Sequence, residues 1–363
     1  MSSASVRRDS ARDAAAPAPR VSWIGVVVAL AVGGVVALLA AEFALRVAMP
    51  HWREFWSGWF ITTDAAAGVA VGRAGYDGYF AQNNGDFRMR VRINESGLRD
   101  PAPAAAANGQ IWAVGDSMTF GWGVEIEQTY AKLAERALGR GVYNLASPGA
   151  DVMGYEALIK RMPEGVRPAA VVVGLVLEND LAEYRASQPA APTPASEAPA
   201  ASGVRDDLKI WLTTNSALYN FVATALKRSE AITDLLIRAG LVERAQGYRH
   251  VFDSANVDAL VGSTAEELAT LKRLLPDGAP FAVLVVPGRF EIRDRDPIFQ
   301  GVRERMLAAL AVRGIDAIDV FDRFAAAGFA ATHFTHDGHW NARGHEIAGQ
   351  AVAGWLRTKG LAR

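Results

Sequence analysis

The sequence predicts an α/β protein, a three-layer α/β/α sandwich around a parallel sheet, preceded by one transmembrane helix. From Gln110 onward, five short apolar runs alternate with segments of helical periodicity, which is the pattern of consecutive βα units. A separate uncharged run near the N-terminus is long enough to span a bilayer. Half of the 363 residues are apolar, which is enough for a sizeable core.

Charge and cysteine content exclude several classes of function. The formal net charge is −1 and there is no long basic block, so we expect no nucleic-acid partner. The chain has no cysteine, which excludes thiolate nucleophiles, disulfides and thiolate metal sites. The lack of cysteine fits a reducing compartment as well as an oxidising one.

The N-terminal apolar run, Val21 to Ala41, predicts a membrane anchor. Its 21 residues carry no charge and would extend roughly 32 Å as a helix, close to the ~30 Å hydrocarbon thickness. A cleaved signal peptide is an alternative, although its apolar region usually has only about 7 to 15 residues; a buried core helix is another. We expect an uncleaved anchor region at 21–46.

Arginines around this run predict the orientation of the chain. Four arginines precede the run and two follow it closely, so the positive-inside rule places residues 1–20 in the cytoplasm. The rest of the protein is then extracytoplasmic, which means periplasmic in a bacterium with two membranes.

Residues 47–109 are predicted to form a juxtamembrane segment with one edge strand. The aromatic cluster at 51–60, HWREFWSGWF, predicts anchoring at the level of the lipid headgroups. The alternation in DFRMRVRIN, residues 86–94, predicts a half-buried strand that covers one edge of the main domain. NESGLRD at 94–100 is rich in turn residues, and PAPAAAAN at 101–108 is a short connector.

Residues 110–363 are predicted to form the main domain. A helix with a glycine stop at Gly139 separates the first two strands. A Pro/Ala-rich linker occupies 187–203, and helices at 208–241 are inserted between the third and fourth strands, where they could cap a site. The predicted strands are Ile111 to Val114, Val142 to Leu145, Ala169 to Leu177, Phe281 to Val286 and Asp316 to Val320.

The first strand ends in a candidate nucleophile. In QIWAVGDSMTFGWG, residues 110–123, the apolar run stops at Gly115, Asp116 and Ser117. A turn at this point would expose the Ser117 hydroxyl at the carboxyl edge of the sheet, where open α/β sheets bind ligands. Gly-Asp-Ser alone is equally an ordinary turn and helix cap.

Three further patches supply candidate partners for Ser117. Asp337 and His339 are two residues apart, so on an extended loop the carboxylate can orient the imidazole as a general base. Gly149 after the second strand could present a backbone NH, and the Asn179 amide after the third strand could donate to an oxyanion. Each patch alone is also common turn chemistry, but all of them could meet at one sheet edge.

In this order, the four patches resemble the motif blocks of the SGNH hydrolases, also called the GDSL esterase and lipase superfamily. The resemblance covers residues 94–356 and implies a flavodoxin-like SGNH fold without a cofactor. It implies that Ser117 is the nucleophile, that His339 is the base supported by Asp337, and that the Ser117 NH, Gly149 and Asn179 form the oxyanion hole. The string GDSMTFGWGVE also looks like membrane-anchored bacterial members found with envelope polysaccharide genes, and NESGLRD strengthens that likeness.

Two departures from the family pattern leave the reaction open. Leu177 stands where the third block usually has glycine, which could narrow the approach to the oxyanion hole. Asp337 and His339 are two apart instead of three, and with Trp340 following they are similar to SGNH-like proteins that O-acetylate alginate. Thr119 occupies the last position of a Gly-x-Ser-x-Gly elbow, so an α/β-hydrolase is not expected.

The leading hypothesis is a serine esterase that acts on O-acyl, above all O-acetyl, esters of envelope carbohydrate. An O-acetyltransferase is the close alternative, and assembly proteins of an envelope polysaccharide would be its partners. A non-catalytic scaffold or carbohydrate-binding protein is a third hypothesis, in which Trp122 and Trp340 stack on sugars. Packing in the wall of the site or in the core is the alternative role of these two tryptophans. Zinc binding by the histidine-rich 333–345 segment lacks an established ligand spacing, so no metal is expected.

Overall fold

The computed structural model describes residues 22–82, 85–181, 204–227 and 256–362. Met1–Ala48 and Met49–Arg363 are two compact units. The first contains the helix α1 (Trp23–Ala48), which buries none of its residues. With a mean hydropathy of 2.7 it is a candidate membrane span, and no other helix of the described residues is one. Its exposure is unlike that of a core helix, whereas an anchor and a signal sequence both remain compatible with it.

The second unit begins with two small antiparallel hairpins. β1 (Ile61–Asp64) pairs with β2 (Val69–Gly72), and β3 (Asp77–Ala81) pairs with β4 (Arg88–Arg92). The strand predicted at 86–94 is therefore present as β4. It pairs with β3 in a separate two-stranded sheet and is not a strand of the main sheet.

The main sheet has five parallel strands in the spatial order β6-β5-β7-β8-β9. β5, the first of these strands in the chain, lies inside the sheet, with β6 on one side and β7 on the other. The chain therefore leaves β5 towards one side and later returns to the other side, and a crevice forms at the carboxyl ends of β5 and β7. All five predicted strands are present, each within one residue of its predicted ends. They are β5 (Ile111–Gly115), β6 (Val142–Ala146), β7 (Ala170–Val176), β8 (Phe281–Val286) and β9 (Asp316–Asp319).

Helices connect these strands and cover both faces of the sheet. The C-terminal α12 is capped by Asn341, whose side chain accepts hydrogen bonds from the backbone of Arg343 and Gly344. In chain order the helices are α2 (Ser117–Phe120), α3 (Tyr130–Leu138), α4 (Val152–Lys160), α5 (Val204–Asn215), α6 (Ala217–Lys227), α7 (Val257–Arg273), α8 (Arg289–Asp294), α9 (Pro297–Val312), α10 (Phe321–Ala327), α11 (Phe329–Thr332) and α12 (Ala342–Thr358).

Two apolar layers, one on each side, form the core around the main sheet, and a third, smaller cluster lies under the two hairpins. Trp112 and Val114 of β5 join the cluster that includes residues of α4, α7 and α9. Ile111 and Ala113 join the cluster that includes residues of α3 and α12. Because side chains alternate along a strand, this division is what a sheet buried on both faces requires. The three-layer α/β/α prediction is confirmed.

The segments flanking the sheet differ from prediction in one respect. Trp52 and Phe60 of the aromatic cluster are buried in the second unit, so their predicted role as anchors at the headgroups is wrong. The helices α5 and α6 confirm the helical prediction for 208–227, and Asn220 of α6 reaches the Trp52 carbonyl oxygen at 3.5 Å. The predicted linker at 187–203 and the helical prediction for 228–241 lie outside the described residues.

Candidate active site

Ser117 lies on the tight turn that joins β5 to α2. Asp116 caps this helix, and its Oδ1 accepts a hydrogen bond of 2.8 Å from the Met118 backbone NH. Gly115 ends the strand without a side chain, because a Cβ there would collide with the Thr119 side chain. The turn leaves the Ser117 side chain partly exposed at the carboxyl edge of the sheet, as the sequence predicted.

The structure brings Ser117, His339 and Asp337 into one hydrogen-bonded line. His339 Nε2 lies 2.8 Å from the Ser117 Oγ. On the other side of the ring, Nδ1 bonds to Oδ1 of Asp337. The carboxylate next to Nδ1 favours the tautomer with its proton there, which leaves Nε2 free to accept the serine proton. This is the geometry of a nucleophile, a base and a group that orients the base.

Asp337 remains ionised in this arrangement. Burial alone would raise its pKa, but the charge of His339, hydrogen bonds from the His339 ring and backbone, and a hydrogen bond from Gln82 outweigh it and lower the pKa to about 2. The carboxylate is therefore available to stabilise an imidazolium at any pH near neutrality.

Asn179 lies at the site, next to the turn that carries Ser117. It lines the same cavity as Ser117, and its side chain hydrogen-bonds the Asp116 carboxyl. Burial raises the pKa of Asp116, against hydrogen bonds from Met118, Ser117 and Asn179 and the charge of His339. The Ser117 NH is in the first turn of α2, where helix amides lack intrahelical acceptors. Both groups lie beside the Ser117 hydroxyl, and their contribution to an oxyanion hole stays a prediction.

Gly149 is placed differently. It lies on an exposed turn after β6 with a φ of 78°, a left-handed conformation that favours glycine. It is not among the residues that line the cavity. Its predicted contribution of a third oxyanion donor stays a prediction.

A cavity of about 300 Å³ surrounds the Ser117 hydroxyl. One wall is the ion pair of Glu178 and Arg289, in which Arg289 Nε lies 2.8 Å from a Glu178 carboxylate oxygen. Burial raises the pKa of Glu178, and the Arg289 charge opposes this rise. Arg289 also passes so close to Gly338 that any side chain at 338 would strike its guanidinium. The sequence does not predict Arg289, because no local motif links α8 to the loop that carries Asp337 and His339.

Leu177 does not obstruct this cavity. Its side chain is fully buried in the apolar cluster on the α4 side of the sheet. The turn that follows β7 is closed by the backbone NH groups of Asn179 and Asp180, which both donate to the Val176 carbonyl oxygen. The expected narrowing of the oxyanion approach is therefore wrong, because Leu177 points away from Ser117.

The two tryptophans predicted to contact substrate have different surroundings. Trp122 is partly buried, with its ring centroid 5.9 Å from that of His339 and 4.7 Å from that of Phe80. Trp340 has no exposed surface and stacks on Phe324 at 4.8 Å. The prediction that Trp340 stacks on a sugar is wrong, because its ring is part of the core.

The histidine-rich segment does not gather around one centre. His345 is buried, and its Nδ1 accepts a 3.3 Å hydrogen bond from the Tyr130 backbone NH. His333 is buried against Phe329, and burial lowers its pKa to about 3. Within the described residues, no group of three His, Cys, Asp or Glu side chains is arranged to hold a metal ion.

Arg99, from the NESGLRD turn, organises the loop that follows Ser117. It is completely buried and donates to three carbonyl oxygens of the 120–124 segment, at 3.1 Å (Phe120), 2.7 Å (Gly121) and 2.8 Å (Val124). A fourth bond of 2.9 Å reaches the Arg90 carbonyl oxygen on β4. Burial lowers the Arg99 pKa to about 10, so the guanidinium stays charged. The NESGLRD motif predicts a turn, but nothing in its sequence indicates this role for Arg99.

Comparison with known proteins finds distant structural relatives only. No protein-family model matches the chain, and no curated protein sequence matches it. A solved structure of the lipolytic G-D-S-L family from Veillonella parvula is 14% identical, covers 68% of this chain and 98% of its own, and has a TM-score of 0.37. The lipase/acylhydrolase from Enterococcus faecalis is 13% identical over 69% of this chain and 96% of its own, with a TM-score of 0.39.

A third similar structure is a carbohydrate esterase of family 2 with a carbohydrate-binding domain, from Corynascus thermopiles. It is 16% identical over 72% of this chain and 68% of its own, with a TM-score of 0.40. At these identities and TM-scores the similarity is too distant to identify a substrate or a reaction. The solved structures to which the chain is similar include GDSL-type lipolytic hydrolases and esterases, the superfamily that the sequence resembles.

Proposed function

We propose that the chain is a membrane-anchored serine ester hydrolase that removes short O-acyl groups, above all acetyl, from carbohydrate of the cell envelope. The observation that carries the proposal is the line from Ser117 through His339 to Asp337, with Oγ 2.8 Å from Nε2, in a cavity of about 300 Å³. A serine hydroxyl is a poor nucleophile unless a neighbouring base can take its proton.

The proposed reaction has two acyl-transfer steps. His339 takes the proton of Ser117 as Oγ attacks the ester carbonyl, and the Ser117 NH and the Asn179 amide donate to the resulting oxyanion. The C–O bond to the alcohol then breaks, His339 returns the proton to the leaving alkoxide, and the acyl group remains on Ser117. A water molecule, deprotonated by His339, then attacks this ester. The bond between the acyl carbon and Oγ breaks, His339 returns the proton to Ser117 Oγ, and the acid is released. Asp337 stabilises the imidazolium in both steps.

The cavity favours a short acyl group. Most of the residues that line it are polar, and only Met118, Val176 and Pro287 contribute apolar side chains. A volume of about 300 Å³ is at the lower limit of ligand pockets, roughly 300 to 1,000 Å³. A long acyl chain would need an extended apolar surface. The carbohydrate part of the proposal rests on the sequence resemblance to envelope-associated members, and Trp122 beside His339 offers an aromatic surface for a sugar ring.

Transfer of the acyl group to a sugar hydroxyl is a second candidate, favoured by the short spacing of Asp337 and His339. The chemistry up to acyl-Ser117 is the same, and only the group that His339 then deprotonates differs.

Incubation of the full-length chain in detergent with acetylated and unacetylated envelope glycans, with and without an acetyl donor, separates these reactions. We expect loss of glycan acetate, measured by mass spectrometry, for the wild type and no loss for Ser117→Ala. Ser147→Ala is the matched control, since Ser147 follows the neighbouring strand β6 and does not line the cavity. A gain of acetate identifies a transferase, and no change with any glycan or aryl acetate indicates a non-catalytic protein.

A further inference from the structure

The two oxygens of the Asp337 carboxylate have different partners. Oδ1 accepts from the His339 backbone NH at 2.9 Å and bonds to the imidazole Nδ1. Oδ2 accepts a 2.7 Å hydrogen bond from the Gln82 side-chain amide. The carboxylate is nearly buried, with 7% of its side-chain surface exposed, so water has little access to replace this amide.

Gln82 comes from a distant part of the chain, 255 residues before Asp337. It directly follows β3, at the place where the hairpin of β3 and β4 meets the loop that carries Asp337 and His339. Asp86, four residues later, accepts a 2.8 Å hydrogen bond from the His336 backbone and lies 2.8 Å from the His336 ring nitrogen. The Phe87 and Phe334 rings pack with centroids 5.0 Å apart. The hairpin is thus fixed against this loop by contacts that do not involve the triad.

We propose that Gln82 is a positioning residue of the Ser117 site, which holds Oδ2 of Asp337 so that Oδ1 stays directed at the His339 imidazole. This inference rests on the proposed function. The hairpin then contributes to the catalytic line, and residues before 110 are part of the site. Residues that orient the partner of a catalytic group affect catalysis because small misplacements of a reacting group are costly.

Loss of the Gln82 amide has two consequences. A less constrained carboxylate lowers kcat, because the imidazole is held in its reactive orientation less of the time. The negative charge that Gln82 shared also returns to Oδ1, where it stabilises the imidazolium more strongly. The acid limb of the activity profile therefore moves to higher pH. If Gln82 had only a structural role, its replacement would lower the stability of the protein and leave the acid limb at the wild-type pH.

Other charged and titratable groups around His339 remain the same in Gln82 variants, so they do not produce such a shift. These groups come from every element packed against Asp337 and His339. They are Asp116, Glu178, Arg289, His333, His336, Asp86 and His345.

The test compares four full-length chains in detergent, hydrolysing p-nitrophenyl acetate across a pH series. Gln82→Met retains the length of the side chain without the donor, and Gln82→Glu adds a second carboxylate beside Oδ2. Phe87→Ala is the matched control, because it weakens the same hairpin contact without touching charge or the triad. We expect kcat/KM to fall by roughly 10-fold or more for Gln82→Met. Its acid limb should shift upward, further for Gln82→Glu, and stay at the wild-type pH for Phe87→Ala.

A second measurement does not depend on turnover. In NMR spectra of 15N-labelled histidines, the Nδ1–H signal of His339 reports its hydrogen bond to Asp337. This signal should move in Gln82→Met relative to the wild type and stay in place in Phe87→Ala. Unchanged activity limbs and an unchanged His339 Nδ1–H signal in both Gln82 variants would overturn the inference while the proposed function stands. A wild type that neither hydrolyses esters nor reacts at Ser117 with a fluorophosphonate would overturn both.

Discussion

At the scale of single residues, a spacing of two positions is enough to bring Asp337 and His339 into a hydrogen-bonded pair, with Gly338 between them. The Asp337 Oδ1 accepts from both the backbone NH and the imidazole of His339, so the loop closes on itself within three residues. Gly338 lies between them, where a Cβ would displace the Arg289 guanidinium. The departure from the family spacing is thus compatible with a working triad geometry.

Asp337→Asn should reveal how the depressed pKa contributes to stability. The folded pKa is about 2, below the ordinary unfolded value of about 3.9, so the folded state releases this proton more readily. The resulting stabilisation is complete above pH ~5 and is lost as pH falls through the folded pKa. We expect the stability difference between wild type and Asp337→Asn to shrink by about 2 kcal/mol between pH 5 and pH 2, measured by urea unfolding.

The same variant should lose about 10⁴-fold in kcat, because an amide favours the wrong imidazole tautomer. A stability difference that does not vary with pH, or an Asp337→Asn enzyme with near-normal kcat, would contradict the role given to this carboxylate.

At the scale of elements, the loop after α2 depends on Arg99 more than on its own sequence. Four carbonyl oxygens converge on one guanidinium, which connects the loop to β4. Lysine has a single ammonium on a flexible stem and cannot span four acceptors that are spread around a planar group. Arg99→Lys therefore leaves buried carbonyl groups unsatisfied.

We expect Arg99→Lys to lower the free energy of unfolding by about 3 kcal/mol, since each buried unsatisfied group costs roughly 1 to 3 kcal/mol. Activity should fall with it, because the loop carries Trp122 beside His339. Arg90→Lys is a control on β4, where the side chain bonds the exposed Asp77 and only the backbone meets Arg99. Equal stability of the Arg99 and Arg90 variants in chemical denaturation would contradict this function of Arg99.

The turn after β7 contains a buried acid whose protonation should affect stability in the opposite sense to Asp337. Asp180 is fully buried, and its Oδ2 accepts from the Val176 backbone NH at 2.7 Å and bonds to the Tyr155 hydroxyl. Burial, with the nearby charge of Asp116, raises the Asp180 pKa well above its ordinary value. The folded state therefore binds this proton more tightly than the unfolded state does, and its contribution falls as pH rises above about 4.

Asp180→Asn retains the shape of the side chain without the ionisation. We expect its stability relative to wild type to increase steadily from pH 4 to pH 8 in thermal unfolding experiments. A relative stability that stays constant or decreases over this range would show that the Asp180 pKa is not raised in the folded protein.

At the scale of the whole molecule, local patterns account for the sheet, the helices and the position of Ser117. Strand periodicity and turn residues give all five strands, because the buried runs are bounded by glycine, proline and polar residues. The resemblance to SGNH hydrolases selects Asp337 and His339, which the structure brings to Ser117.

What local patterns do not supply is side-chain direction and long-range pairing. Leu177 and Trp340 were expected at the site and are in the core, because motif position does not determine which way a side chain points. Gln82 and Arg289 come from elements far away in sequence, and no spacing rule connects either to Asp337. Trp52 and Phe60 pack into the folded unit, because an aromatic cluster next to a membrane span can equally serve a core.

Orientation across the membrane can be tested because the chain has no cysteine. Ser3→Cys and Ala362→Cys introduce single thiols near the two ends. In intact cells we expect a membrane-impermeant maleimide to label Ala362→Cys only, and both variants after lysis. The positive-inside distribution of arginines around residues 21–41 is the reason for this expectation. Labelling of Ser3→Cys but not Ala362→Cys in intact cells would reverse the orientation and exclude an extracytoplasmic substrate.

The most direct measurement of the central claim is covalent labelling of Ser117 by a fluorophosphonate, located by peptide mass spectrometry. We expect the wild type and Ser147→Ala to carry the label on Ser117, and His339→Ala to react much more slowly because its serine has lost the base. Ser117→Ala should remain unlabelled. Equal labelling of the wild type and Ser117→Ala, or a wild type that does not react, would contradict the proposal that Ser117 is an activated nucleophile.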